Sequence, residues 1–253
     1  MKVLFVFPMW TGSYGVINKY FARKSGGVFP PTNLALLAAI AEKQGHQVEI
    51  IDAEIDRIPM GELVDTVLKR KADIIGMTGM SPFFHLSKDV ARLLKKKGEK
   101  ASICIGGKHI TIMEEKDFDE VFDYGFLGDG EESWAKFLDA ISQNGPLDSV
   151  PGLMYRSGGK VYKNEKVSAS KDLDIYPRPA YHLLKMKNYH LGTLRGMLPF
   201  TSIMSIRGCP WKCIFCASDQ LDTTRIAKRS IKSLVDELEF LVDTYGIRHF
   251  SFT

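Results

Sequence analysis

The chain has 253 residues, 45% of them hydrophobic and 25% charged, a balance that suits a globular polypeptide of one or two domains. Its net charge of +4 is too mild and too dispersed for a nucleic-acid footprint, so no nucleic-acid partner is expected. The longest apolar runs, such as Leu34 to Ala41, fall far short of the ~20 residues that a membrane span needs, and the apolar start from Met1 to Phe7 has one lysine and no small-residue cleavage site.

Over residues 1–145, short β-rich apolar runs alternate with helical patterns. Strands are predicted at Lys2 to Phe7, Gln47 to Asp52, Asp73 to Thr78, Ala101 to Gly106 and Phe122 to Leu127. Helices are predicted at Asn33 to Gln44, Met60 to Arg70, Leu86 to Lys97, Glu114 to Glu120 and Glu131 to Ile141. This alternation implies an α/β fold: a parallel, Rossmann-like sheet of flavodoxin type with helices on both faces. Such sheets bind ligands outside the carboxyl ends of their strands.

Those ends are lined with small residues. The first strand runs into Pro8 to Gly15, the third into Thr78-Gly-Met-Ser-Pro82, the fourth into Gly106-Gly-Lys-His109 and the fifth into Gly128-Asp-Gly-Glu131. Any one of these loops reads equally well as a plain turn; together they favour a ligand that approaches the backbone closely. Gly128 to Glu131 also opens a helix, whose free amides can receive an oxygen-rich group. Candidate ligand contacts are therefore Thr78, Ser81, Gly106, Gly107, Gly128, Gly130 and Glu131. His109 reads as a hydrogen-bonding residue more than a ligand, and His85 as local structure. Trp10 and Tyr14, in the first loop, either cap a ligand or pack.

Farther along, Pro151 to Lys163 has the pattern of a hairpin about Ser157-Gly-Gly, and Lys171 to Leu184 is a proline-bearing connector of ordered, extended type. Phe200 to Ile206 reads as a buried strand, ended by Gly208 and Pro210. Ser230 can cap a helix running to about Tyr245, and Ile247 to Thr253 reads as the next strand.

Cys209, Cys213 and Cys216 form a C-x-x-x-C-x-x-C run just after the strand that begins at Phe200, and the remaining cysteine, Cys104, lies far upstream. Structural zinc sites normally close with four Cys or His ligands at paired short spacings, and only a solitary His249 follows this run. A disulfide framework suits short secreted chains. Three clustered thiolates point instead to an iron-sulfur cluster with one iron left open, with zinc and unliganded cysteines as the weaker alternatives.

The run C-x-x-x-C-x-x-C, with Phe215 just before the third cysteine, resembles the signature of radical S-adenosylmethionine (SAM) enzymes. The segments Phe29 to His46, Val48 to Ala53, Gly106 to His109 and Gly128 to Glu131 resemble the cobalamin-binding domain that precedes many radical SAM barrels, and Lys171 to Leu184 resembles the linker between the two. The resemblance implies a cobalamin-binding α/β domain over 1–145, a hairpin and linker over 146–199, and the start of a partial (β/α) barrel over 200–253. The barrel has only two of its strands here, so the chain is expected to be a fragment. It also implies a 4Fe-4S cluster on the three cysteines, S-adenosylmethionine on the open iron, Phe215 beside that cofactor, and reduced flavodoxin or ferredoxin as electron donor. The D-x-H-x-x-G motif, whose histidine ligates cobalt in methionine-synthase-type domains, occurs nowhere in the chain, so cobalamin is expected without a histidine lower ligand.

Two function classes follow from these features. One is a cytoplasmic enzyme that methylates an unactivated carbon of a small molecule, or closes a ring with the same parts. The other is a non-catalytic corrinoid and iron-sulfur electron-transfer protein. No catalytic residue can be assigned from the sequence.

Overall fold

The computed structural model describes residues 1–10, 27–166, 170–191, 199–211, 213–216, 221 and 226–253. The amino-terminal region alternates β1 (Lys2–Phe7), α1 (Thr32–Lys43), β2 (Gln47–Asp52), α2 (Ala53–Asp56), α3 (Met60–Arg70), β3 (Ile74–Thr78), α4 (Phe84–Lys96), β4 (Ser102–Gly106), α5 (Lys108–Thr111), β5 (Tyr124–Phe126) and α6 (Gly130–Gln143). The strands join in the order β2-β1-β3-β4-β5, all parallel. Helices cover both faces, so the central strands are apolar at successive positions, not alternate ones. In β1, Leu4 and Val6 pack with Ile75, Ile103 and Ile105 on one face, while Val3 and Phe5 pack with Ile74, Cys104 and Phe126 on the other.

Two local expectations are corrected. Glu114 to Glu120 is not a helix but holds one 3-10 turn, Glu115–Asp117. Asp119 turns its carboxylate onto the Val121 amide and Phe118 drops into the core, which competes with a continued helix. The hairpin, expected as part of a connector, joins the sheet: β6 (Leu153–Ser157) pairs antiparallel with β5, and β7 (Lys160–Lys163) pairs with β6. Pairing with β6 satisfies the edge that β5 would otherwise expose.

The second region holds β8 (Phe200–Ile203), β9 (Ile206–Arg207), β10 (Ala227–Lys228), α7 (Ile231–Tyr245) and β11 (His249–Phe252). β8 and β11 pair in parallel across the crossover helix α7. The strand predicted from Phe200 to Ile206 ends at Ile203, because Ser205 is drawn away on both sides: its amide donates to the Thr253 carbonyl at 2.7 Å and its carbonyl accepts from the Arg229 amide at 3.1 Å. Ile206 and Arg207 then pair antiparallel with β10. α7 starts as expected, with Ser230 Oγ accepting from the Ser233 amide at 3.1 Å.

The connector is packed, not tethered. Tyr181, Leu184, Met186 and Tyr189 are buried with Ala35 of α1, Ile203, Leu241 and Ile247, one core shared by both regions. Tyr181 donates to the buried Glu237 at 2.5 Å, and Tyr189 donates to Asp52 at 2.8 Å. Among the described residues no helix is long and apolar enough to cross a membrane.

Candidate functional site

The site begins with the strand register. Phe5, Gly76 and Cys104 are neighbours across β1, β3 and β4 and point to one face. A Cβ on Gly76 would lie 2.7 Å from two ring atoms of Phe5, so the absence of a side chain there lets the ring lie over the strand. α1 and α6 roof this row with Leu34, Leu37 and Trp134, whose indole donates to the Leu37 carbonyl at 3.1 Å. Between floor and roof is a cavity of about 190 Å³. Its rim is at the carboxyl edge of the sheet and carries Thr78, Gly106, Gly107, Gly128, Asp129, Gly130 and Glu131.

Six of the seven contacts expected from the strand-end loops thus line one cavity. The exception is Ser81, which lies outside it on a 3-10 turn and hydrogen-bonds Nδ1 of His109 at 3.2 Å. His109 stacks on Phe84 with ring centroids 4.2 Å apart, and burial lowers its pKa, which favours the neutral ring. The glycines of the rim differ in kind. Gly107 sits at φ +106°, and a Cβ there would be 2.9 Å from the Gly79 carbonyl, so the backbone itself requires glycine. Gly130 has no such constraint: the nearest atom to an added Cβ is a Leu37 methyl 4.0 Å away. Open space at Gly130 is room for something else.

A second, apolar cavity of about 250 Å³ occupies the switch point between β1 and β3, lined by Phe7, Pro8, Trp10, Phe29, Met80 and Phe83. Thr78 borders both cavities. Trp10 packs on Phe83 at 5.3 Å, while Tyr14 lies outside the described residues.

The cysteine loop leaves β9 through Gly208 at φ +97°. Cys209 is half-buried, Cys213 and Cys216 are exposed, and the Cys216 amide closes a turn on the Cys213 carbonyl at 2.9 Å. Phe215 is 90% exposed and Trp211 72%, so the loop presents an apolar surface. Among the described residues no three Cys, His, Asp or Glu side chains stand close enough together to hold one metal ion. The donor set nonetheless fits an iron-sulfur cluster: three soft sulfur donors on one exposed loop can close around an inorganic core that brings its own bridging sulfides. Cys104 is different, fully buried in β4, with its thiol pKa pushed well up by burial and so unreactive.

One residue that sequence reasoning passed over joins the two places. Arg207, two residues before Cys209, forks onto Glu131 at 2.6 and 3.1 Å and reaches Asp129 at 3.2 Å. Burial opposes its charge, but the Glu131 and Asp129 carboxylates more than offset this and raise its pKa. The available signal was an arginine entering the cysteine loop and two carboxylates in the Gly-Asp-Gly-Glu loop.

Residues 18–138 match the B12-binding domain family. A Pyrococcus horikoshii protein named as an uncharacterized methyltransferase is 30% identical over 100% of this chain and 53% of its own length. The anaerobic magnesium-protoporphyrin IX monomethyl ester cyclase of Synechocystis is 24% identical over 88% of this chain and 44% of its own. The structure of OxsB, a cobalamin-dependent S-adenosylmethionine radical enzyme solved with aqua-cobalamin and S-adenosylmethionine bound, superposes with a TM-score of 0.76 at 17% identity, covering 100% of this chain and 33% of that one. Residues 18–138 thus resemble a B12-binding domain, and the chain as a whole is similar to proteins named as cobalamin-dependent radical SAM methyltransferases. It spans about half the length of the curated relatives it matches. The fold shared with OxsB runs through both regions, so the glycine-rimmed sheet edge and the cysteine loop are parts of one architecture.

Proposed function

We propose that this chain carries the corrinoid and cluster sites of a cobalamin-dependent radical SAM enzyme that methylates an unactivated carbon of a small molecule. The observation that carries this is the ion-paired contact between the two sites: the cysteine loop is entered from an arginine bound to the rim of the glycine-edged cavity. Cys209, Cys213 and Cys216 would hold a 4Fe-4S cluster, with S-adenosylmethionine on the iron that lacks a thiolate and Phe215 packing beside it. Gly106, Gly107, Gly128 and Gly130 would let cobalamin lie against the backbone, with Thr78 at the edge. The cavity walled by Phe5, Phe126 and Trp134 suits a flat heteroaromatic base such as that of cobalamin's nucleotide tail. His109 is engaged with Ser81 and Phe84, and residues 11–26 contain no histidine, which supports cobalt without a protein nitrogen ligand.

When bound, the cluster supplies the electron that cleaves S-adenosylmethionine to a 5'-deoxyadenosyl radical, and methylcobalamin supplies the methyl group. A reduced flavodoxin or ferredoxin would be the electron source. In the full-length protein, reconstituted anaerobically and supplied with reductant and substrate, 5'-deoxyadenosine and S-adenosylhomocysteine should both form. Absence of deoxyadenosine under every reductant would contradict the enzyme reading in favour of electron transfer. A second reading, oxidative ring formation, is favoured by the likeness to the Synechocystis cyclase. Deoxyadenosine without S-adenosylhomocysteine or a methylated product would select it.

A further inference from the structure

Arg207 is separated from Cys209 only by Gly208, yet its guanidinium is bound by a loop 76 residues away in sequence. Three acceptors hold it: Glu131 in a two-pronged fork, Asp129 at 3.2 Å, and Met204 Sδ at 3.2 Å. The Arg207 side chain is 21% exposed and that of Glu131 7%, so this is a geometrically fixed pair and not a solvent-loosened surface contact.

Arg207 and Glu131 also border two cavities at once. One is the glycine-rimmed cavity of about 190 Å³. The other, of about 230 Å³, lies between the connector at Tyr176 and Tyr181 and the strand ends at Ser202 and Thr253. The ion pair is therefore part of the wall between them. Glu131 shares its short loop with Gly128 and Gly130, so a ligand that fixes this rim fixes the carboxylates. A cluster that fixes Cys209 likewise fixes the start of the cysteine loop and, with it, the guanidinium. Each site orders the groups that the other depends on.

We propose that Arg207 is a positioning residue that couples the two cofactor sites: through Glu131 and Asp129, cluster assembly on the cysteine loop and corrinoid binding at the glycine rim favour one another. The inference rests on the reading of the two sites given under Proposed function. Because such coupling is reciprocal, it can be read from either side.

The test is to titrate aquacobalamin, under anaerobic conditions, into cluster-loaded and cluster-free protein and take the ratio of the two dissociation constants. The full-length protein should bind aquacobalamin about tenfold more tightly when the cluster is present, within the ~5–150-fold range usual for coupled sites. In Arg207→Gln and in the double variant the ratio should fall to about 1, and in Glu131→Gln, which leaves Asp129 on the guanidinium, it should fall part of the way, whatever the absolute affinities. Arg207→Lys should keep part of it, since a lysine retains charge but not the fork. Melting temperatures measured alongside separate this from mere support of the fold. A variant that loses stability but keeps the tenfold ratio overturns the proposal, and so does a ratio of 1 in the unmodified protein. Failure of the unmodified protein to bind aquacobalamin at all would overturn the functional reading itself, and the coupling with it.

Discussion

The glycine-rimmed cavity and the cysteine loop are built on opposite plans. The cavity is made by packing: a register row of Phe5, Gly76 and Cys104, a roof of Leu34, Leu37 and Trp134, and loops zipped together by the Gly79 amide on the Gly106 carbonyl at 2.6 Å. The cysteine loop has no such support: Cys213, Ile214, Phe215 and Cys216 are all exposed, and the residue that leads into the loop, Arg207, is tied to the rim. A site that must admit a large rigid cofactor repays advance construction, because little ordering is left for the binding step. A site whose cofactor brings its own bridging atoms can be completed by that cofactor.

Three sets of substitutions would break or sharpen this contrast. The largest effect is expected in the loop. Cys209→Ala, Cys213→Ala or Cys216→Ala should remove the visible absorption of the cluster and all S-adenosylmethionine cleavage, while Cys104→Ala should keep both, because its thiol is buried in β4, away from the cysteine loop. Iron retained in Cys213→Ala and lost in Cys104→Ala would reverse the assignment.

At the cavity the rim glycines should separate. Gly107→Leu forces a backbone region open essentially to glycine alone and should cost about 1–3 kcal/mol of apo stability. Gly130→Leu meets open space at the start of α6, so its apo melting temperature should hold, while corrinoid affinity drops at least tenfold, or about 1.4 kcal/mol. Equal losses of binding and stability at Gly130 would mean that it serves only as a turn.

The smallest effect is a pH slope where the packed region meets the connector. Asp52 is buried, and burial raises its pKa to about 6 despite the hydrogen bonds from Tyr189 and the amides of Ile55 and Glu54. With the folded value above the unfolded one, the folded state binds the extra proton, so Asp52 contributes stability below about pH 4 that is lost as pH rises through 6. Asp52→Asn, which keeps an acceptor for both amides, should flatten that decline in denaturant titrations. The change should stay below ~1.4 kcal/mol per pH unit. An unchanged slope would mean that Asp52 is ionised throughout.

Much of this was legible in the sequence, for reasons that are local. The strands of the parallel sheet are continuous apolar runs, the helices carry 3.6-residue periodicity, and three thiolates at short spacing have few other uses. What was not legible is what depends on register and strand order. Nothing in the sequence says that Phe5, Gly76 and Cys104 share a row, or that Arg207 meets Glu131. The hairpin was visible as a hairpin, but its addition to β5 depends on which edge lies nearest once the sheet is wound. The break at Met204 and Ser205 arises from backbone partners at Arg229 and Thr253, which no local propensity records. Ser81 stood in the right loop but faces His109, since loop proximity does not decide side-chain direction.

The central claim, that one chain holds both a corrinoid and a three-thiolate cluster at separate places, is tested most directly by counting iron and cobalamin in the anaerobically reconstituted protein and in its Cys213→Ala variant. The unmodified protein should hold about four irons and about one cobalamin, and the variant almost no iron with its cobalamin retained but bound more weakly. Iron unchanged in the variant, or iron bound by the unmodified protein with no cobalamin at any concentration tried, would contradict the account.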